Sequence, residues 1–292
     1  MRESMQKTID FIQNNPQSHW VGDGFPVRTL FSYHERAERF SPFLLLDYAG
    51  PAEFQPSDTR RGVGEHPHRG FETVTIAYAG EVEHRDSSGG GGIIKPGDVQ
   101  WMTAASGVVH EEMHSHEYTQ KGGPFEVVQL WVNLPKSHKM STPRYQALLN
   151  TNIPSIPLNE SASARIIAGE LNGVRGPAQT FTPINLWDLT ILKGQSIVLK
   201  TPKEHHTFLL CLKGKVALTD NTPLETAQLA AFKTDGDEIA ISTQEDSLLL
   251  LMSGTPIEEP IFGYGPFVMN TKEEIVEAFQ DYQSGKMGHL SE

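Results

Sequence analysis

His66 and His68 stand one residue apart, and so do His110 and Glu112. Side chains alternate faces along a β-strand, so each pair projects from one side of its strand. Two such strands lining a barrel interior can carry three imidazoles and one carboxylate to a point. That donor set suits iron, copper, nickel, manganese or zinc, and on a six-coordinate ion it leaves two positions open. Open positions separate a reactive metal centre from a closed structural one. A single His-x-His on a strand is commonplace; the second pair, some distance after the Gly97-Asp98 turn, makes the pattern a candidate centre. Pro67 cannot donate to a ladder, which puts the first pair on an edge or at a strand start.

The elements that must hold these residues read as strands. From about Phe25 to Asn133 short β-branched or aromatic runs, such as Thr73–Tyr78 and Glu126–Val132, alternate with Gly, Pro and Asp turns. This is the signature of a sandwich or barrel. Lys136 to about Pro157 reads as a connection, and a second strand-rich stretch follows from about Ala164 to Pro260. Gly80-Glu81-Val82 through Asp86 shares its Gly-x-Val-x-x-x-Asp frame with Gly214-Lys215-Val216 through Asp220, as a diverged repeat would. Gly97-Asp98 then corresponds to Gly236-Asp237, and counting from these frames sets Leu249, Leu251, Lys200 and Pro202 at the ligand positions of the second half. The second half is therefore expected to bind no metal. The expected division is 1–145 for a metal-binding barrel and 146–292 for a barrel without ligands that ends in a helix. That helix starts at a Thr271/Glu274 capping box, carries Ile275, Ala278, Phe279 and Tyr282 on one face, and stops near Gly285.

Composition bounds the function. With 38% hydrophobic and 21% charged residues, the 292-residue chain has material for real cores. A net charge of −12 argues against direct nucleic-acid binding, which needs clustered Lys and Arg. Cys211 is the single cysteine, so there is no intramolecular disulfide and no thiolate cluster for the metal. Met1–Lys7 lacks the apolar core of a secretory leader, and no apolar run reaches the roughly 20 residues of a membrane span. The expectation is a cytoplasmic protein without membrane contact.

Three stretches carry a family resemblance: His66-Pro67-His68-Arg69-Gly70-Phe71-Glu72-Thr73, Pro96-Gly97-Asp98-Val99-Gln100-Trp101-Met102, and Gly107-Val108-Val109-His110-Glu111-Glu112. With Ser41-Pro42-Phe43-Leu44 upstream and Gly265-Pro266-Phe267-Val268 near the end, they resemble the pirins, bicupins of the cupin superfamily. The resemblance implies an all-β fold of two tandem cupin (jelly-roll) barrels with a short C-terminal helix. It also implies an Fe(II)/Fe(III) site on His66, His68, His110 and Glu112. The general cupin pattern takes its carboxylate from the first motif, here Glu72; pirins take it from the second, here Glu112. Glu72 is an even number of residues from His68, so on a regular strand it too faces inward, as a pocket residue. His114-Ser115-His116 reads as an exposed loop in preference to a second metal site.

Around the centre, Arg60, Arg61 and Arg69 could draw an anionic or phenolic ligand, and Trp101, Met102 and Phe71 could wall its pocket; surface solvation and core packing explain them equally well. Ser87–Gly92 is a hairpin tip, since no Gly-Lys-Ser/Thr follows it. Two functions follow from the resemblance. One is a quercetinase-type dioxygenase on a flavonol-like phenolic, with Glu112 or Glu72 taking the hydroxyl proton. The other is a non-catalytic, redox- or iron-responsive regulator of a transcriptional or metabolic protein partner.

Overall fold

Alternating strands build two units of one design, seen in a computed structural model that describes residues 4–290. Met1–Glu3, part of the segment read above for a leader, lie outside the described residues. One unit comprises residues 16–150 and 257–292, the other 1–15 and 151–256. These units differ from a division into 1–145 and 146–292. Strand Ile9–Asn14 pairs with Gln228–Phe232 of the later barrel, and the C-terminal segment packs with the earlier one. Hydrogen bonding across a strand edge ignores sequence distance, so a contiguous reading cannot see such exchanges.

In the first unit a seven-stranded sheet runs in the order Arg144–Leu148, Val99–Thr103, Phe71–Ala79, Gly123–Asn133, Phe43–Phe54, Phe25–Ser32, His19–Val21. A four-stranded sheet runs Gly62–His68, Val108–His114, Val82–Asp86, Gly91–Ile94. Val82 and Ile94 of the smaller sheet share a core with Phe25, Ala49, Ala77, Phe125 and Val127 of the larger. This is the two-sheet jelly roll expected. Gly62–His68 is an edge strand, as Pro67 required, and Ser87–Gly90 is the hairpin tip. Arg144–Leu148 was expected within a connection but pairs with Val99–Thr103.

The second unit repeats the arrangement with seven and four strands around Trp187, Leu209, Leu249 and Leu251. The repeat frame holds at Gly80 and Gly214, both with positive φ (79° and 88°) at the turn before the next strand. The Gly97-Asp98 correspondence does not. Gly97-Asp98 leads into a strand of the seven-stranded sheet, whereas Gly236-Asp237 leads into Glu238–Thr243 of the four-stranded one. Val82 pairs with His114 and Val216 with Thr243, so Ile239 and Ile241 take the places of His110 and Glu112. Leu199, opposite Ile239, stands where His66 does. These apolar residues, not Leu249, Leu251, Lys200 and Pro202, fill the second barrel's equivalent positions, and all three are buried.

The capping box forms as the sequence implied: Thr271 accepts from the Glu274 backbone N–H, and the Glu274 carboxylate accepts from that of Thr271. Helix Lys272–Gln283 buries Ile275, Ala278 and Asp281, while Tyr282 is exposed. Asp281 turns inward because the buried Arg69 guanidinium meets it at 2.9 Å. No helix among the described residues is long and apolar enough to cross a membrane.

Lys139 pins the same region. Its ammonium, buried to 1% exposure, donates to Gly70 O (2.7 Å), Asn133 Oδ1 (2.6 Å) and Val268 O (2.9 Å). Three acceptors saturate its three protons, but burial still pushes the group down to about 7 from 10.5. Between those values the unfolded chain holds a proton that the folded chain gives up, so stability rises with pH across that window. Lys139→Met strands three buried acceptors and should cost about 3 kcal/mol or more, against about 0.5 kcal/mol or less for the exposed Lys272→Met. Urea unfolding from pH 7 to 10 measures both effects, and the rise in stability with pH should be smaller in Lys139→Met.

Candidate metal centre

Antiparallel pairing of Gly62–His68 with Val108–His114 sets His66 directly across from His110. His68 lies opposite Val108, and a register shift between His110 and Glu112 sets Glu112 across from Val63. The ring centroids of His66, His68 and His110 lie 4.2–4.9 Å apart, and one nitrogen of each falls within 4.8 Å of the others. A second group with the same spacing joins His84, His110 and Glu112. The two groups share His110, and the Glu112 carboxylate falls in the second, beside His84.

Hydrogen bonds on the far side of each ring decide which nitrogen is offered. His66 Nδ1 lies 2.8 Å from Gly64 O and His68 Nδ1 lies 3.2 Å from Pro266 O. A carbonyl accepts only, so both rings carry a proton on Nδ1, and Nε2 is the nitrogen each can offer to a cation. His110 Nε2 is fully buried and has no hydrogen-bond partner. A buried polar nitrogen without a partner is costly unless something fills it, and a divalent cation fits that need and this donor set. Burial first, then the neighbouring imidazoles, holds His68 and His110 well below the ordinary histidine value, which keeps them neutral.

Glu112 is held from three sides. Gln100 donates to its Oε1 at 2.5 Å, Gln129 donates to its Oε2 at 3.3 Å, and Thr75 Oγ1 lies 3.1 Å from Oε1. Beyond it a cavity of about 40 Å³ is lined by Phe25, Val27, Ala49, Val127, Gln129 and Asp47. Burial raises the Asp47 carboxyl above the ordinary aspartate value, although Thr29 donates to it.

Glu72 does not face this chamber. The strand breaks at Gly70, where φ is +89°, so parity with His68 is lost. In the unbroken register that follows, Glu72 pairs with Thr103, and Thr75 pairs with Gln100. Thr75 and Gln100 reach Glu112, so Glu72 lies on the opposite face of the sheet, with Thr103 donating to it at 2.7 Å. There burial raises its carboxyl to about 7. Trp101 shares that face and is a fully buried core residue. Of the expected pocket aromatics only Phe71 touches a candidate ligand, packing 5.1 Å from His68 and stacking on Trp131.

Other expectations change for equally local reasons. Arg69 is committed to Asp281 and to Ser106 O, and Arg60 to Glu83 and His114 O, so neither is free to draw an anion. His114 is not in an exposed loop. It ends its strand buried, with Nε2 2.9 Å from Gly24 O and its ring against Phe54 and Phe125. Burial lowers its pKa, and Ser115 caps the short helix that carries the exposed His116.

The sequence reading missed His84, Tyr145, Gln100 and Gln129. For His84 a signal existed, because His84-x-Asp86 has the same one-residue spacing as the two ligand pairs. Tyr145 stacks on His84 with centroids 5.0 Å apart, from the strand hidden in the supposed connection.

Comparisons with known proteins agree along the whole chain. The Pirin model matches residues 24–132, and the Pirin C-terminal cupin domain model matches residues 186–288. A Pseudomonas aeruginosa protein named "Putative quercetin 2,3-dioxygenase PA2418" is 53% identical over 97% of this chain and 98% of its own. A Solanum lycopersicum pirin-like protein is 40% identical over 91% of this chain and 88% of its own. The crystal structure of quercetin 2,3-dioxygenase from Acinetobacter baumannii superposes with a TM-score of 0.95 at 52% identity, covering 98% of this chain and 100% of that one. With both barrels matched and relatives aligned from end to end, this chain belongs to the pirin family.

Proposed function

We propose that the chain is a mononuclear iron protein acting as a dioxygenase on flavonol-like phenolics, of the quercetin 2,3-dioxygenase type. The observation that carries the reading is the buried His110 Nε2, which has no hydrogen-bond partner, on a ring that clusters with those of His66 and His68. Two similar proteins bear that name, which supports the reaction class. His66, His68, His110 and Glu112 are the residues that would hold the ion, with other divalent transition metals as competitors for the same donors. Bound there, iron supplies Lewis acidity and electron exchange with dioxygen.

The chain's own part is to bind and to move a proton. His66 is partly exposed while His68 and His110 are buried, so a phenolic ring approaches from the edge strand. A carboxylate offers about four lone-pair sites. Gln100, Gln129 and Thr75 surround Glu112, leaving it capacity to face the ion or to take the phenolic proton. Glu72, on the other face, takes no part in this reading.

A second reading, a non-catalytic regulator that responds to the state of its iron, is favoured by the cavity. Its volume of about 40 Å³, beside Glu112 and lined by none of the three histidines, suits a few waters or a diatomic at roughly 10–15 Å³ for each water, so the barrel interior there offers no chamber for a three-ring phenolic.

His68→Ala and His110→Ala should each weaken ferrous affinity by more than the roughly 10–100-fold typical of outer-shell changes, measured by competition with a chelator. With iron-loaded protein and a flavonol, oxygen uptake and carbon monoxide release should be detected and should vanish in His68→Ala. Equal rates in the two proteins remove the dioxygenase reading. The regulatory reading predicts that ferrous and ferric protein pull down different partners, and identical profiles count against it.

A further inference from the structure

His66 and His68 have their tautomers set by main-chain carbonyls; His110 does not. Its Nδ1 lies 3.3 Å from Nδ1 of His84, and His84 Nε2 lies 3.1 Å from Asp86 Oδ2. The side chains of His84 and Asp86 are completely buried. Strand pairing produces the line, since Asp86 sits across from His110 and His84 across from Glu112. His84 is kept flat by Tyr145, stacked on it at 17° between planes.

From this geometry we infer that Asp86 and His84 are positioning residues that fix His110 as its Nδ1–H tautomer and so keep His110 Nε2 bare for the metal. The inference rests on the metal reading above. The argument is a count of protons, with one proton on each of the two rings. An ionised carboxylate only accepts, so the His84 proton sits on Nε2, facing Asp86. His84 Nδ1 is then a lone pair. A second lone pair facing it would be repulsive, so His110 Nδ1 carries the proton between them. The remaining nitrogen of His110 has none. Net protonation does not change anywhere in the line; only the placement of each proton is decided.

The glycine-rich hairpin tip serves this arrangement. Asp86 Oδ1 accepts from Ser88 N (2.8 Å), Ser88 Oγ (2.6 Å) and Gly90 N (3.1 Å). That leaves Oδ2 to face His84. A Cβ at Gly90 would fall 2.5 Å from Asp86 Oδ2 and 2.6 Å from Tyr145 Cβ, so only glycine lets the carboxylate and the tyrosine close around His84.

The same contacts predict an inversion. In Asp86→Asn the oxygen must stay where three donors point, so the new NH₂ group faces His84. His84 Nε2 must then accept, its proton moves to Nδ1, and His110 is left with its proton on Nε2, where the ion would bind. The test uses the full chain labelled with ¹⁵N in the histidine rings, metal-free, with tautomers read from ring nitrogen shifts. Wild type should show His110 protonated on Nδ1, and Asp86→Asn should show it protonated on Nε2. Zinc, a diamagnetic probe, should bind the variant about 10–100-fold more weakly. His84→Phe should leave a mixture of His110 tautomers and an intermediate loss. Should either variant fold poorly, the wild-type spectrum alone decides, because a proton on His110 Nε2 overturns the proposal. Unchanged His110 shifts and zinc affinity in Asp86→Asn also overturn it, as does a zinc-induced shift at His84 Nδ1, which would make His84 a ligand. If wild type binds no zinc while the tautomers invert as stated, the metal reading fails and the positioning of His110 stands.

Discussion

Everything at this centre depends on three imidazoles converging inside a barrel, two of them buried. Such an arrangement is unfavourable by itself, because buried acceptors lose water and gain no donor. It persists because each ring is tied on its far side to a fixed group, and because burial holds His68 and His110 well below the ordinary histidine value, so that these two do not repel as cations. The fold thus holds a cost that a cation would relieve. Strand pairing brings the rings together, and hydrogen bonding chooses which nitrogen each one shows.

Rigidity around His68 comes from far along the chain. Pro266 supplies the carbonyl that orients its ring, Val268 N–H donates to Arg69 O, and Arg69 bonds Asp281 on the terminal helix. Lys139 ties Gly70, Asn133 and Val268 to one ammonium. A buried cation without a paired carboxylate is tolerated only where its donors are all used. This clamp meets that condition, and it closes on the turn that follows His66 and His68. The C-terminal segment is therefore part of the scaffold of the candidate metal site.

The two barrels show how one design keeps or loses a polar centre. In one, the inward positions of the small sheet carry histidines and Glu112, with amides and a threonine around the acid. In the other, Leu199, Ile239 and Ile241 occupy the matching positions and join an apolar core. Aliphatic burial needs no partners, so that barrel packs without the hydrogen-bond network that its twin requires.

The sequence by itself determined the barrels, the terminal helix with its capping box, and the alignment of His66, His68, His110 and Glu112 on two strands. These follow from local rules, namely side-chain alternation, turn residues and the Thr271–Glu274 pattern. Parity carried too far placed Glu72 inward, because Gly70 breaks the strand between it and His68. Only the tertiary structure decided that Glu112 neighbours His84, that Arg69 is spent on Asp281, and that each terminus joins the barrel remote from it in sequence. Those outcomes depend on cross-strand register and on which buried polar group reaches which partner. Both are set by contacts between distant segments, which no local pattern encodes.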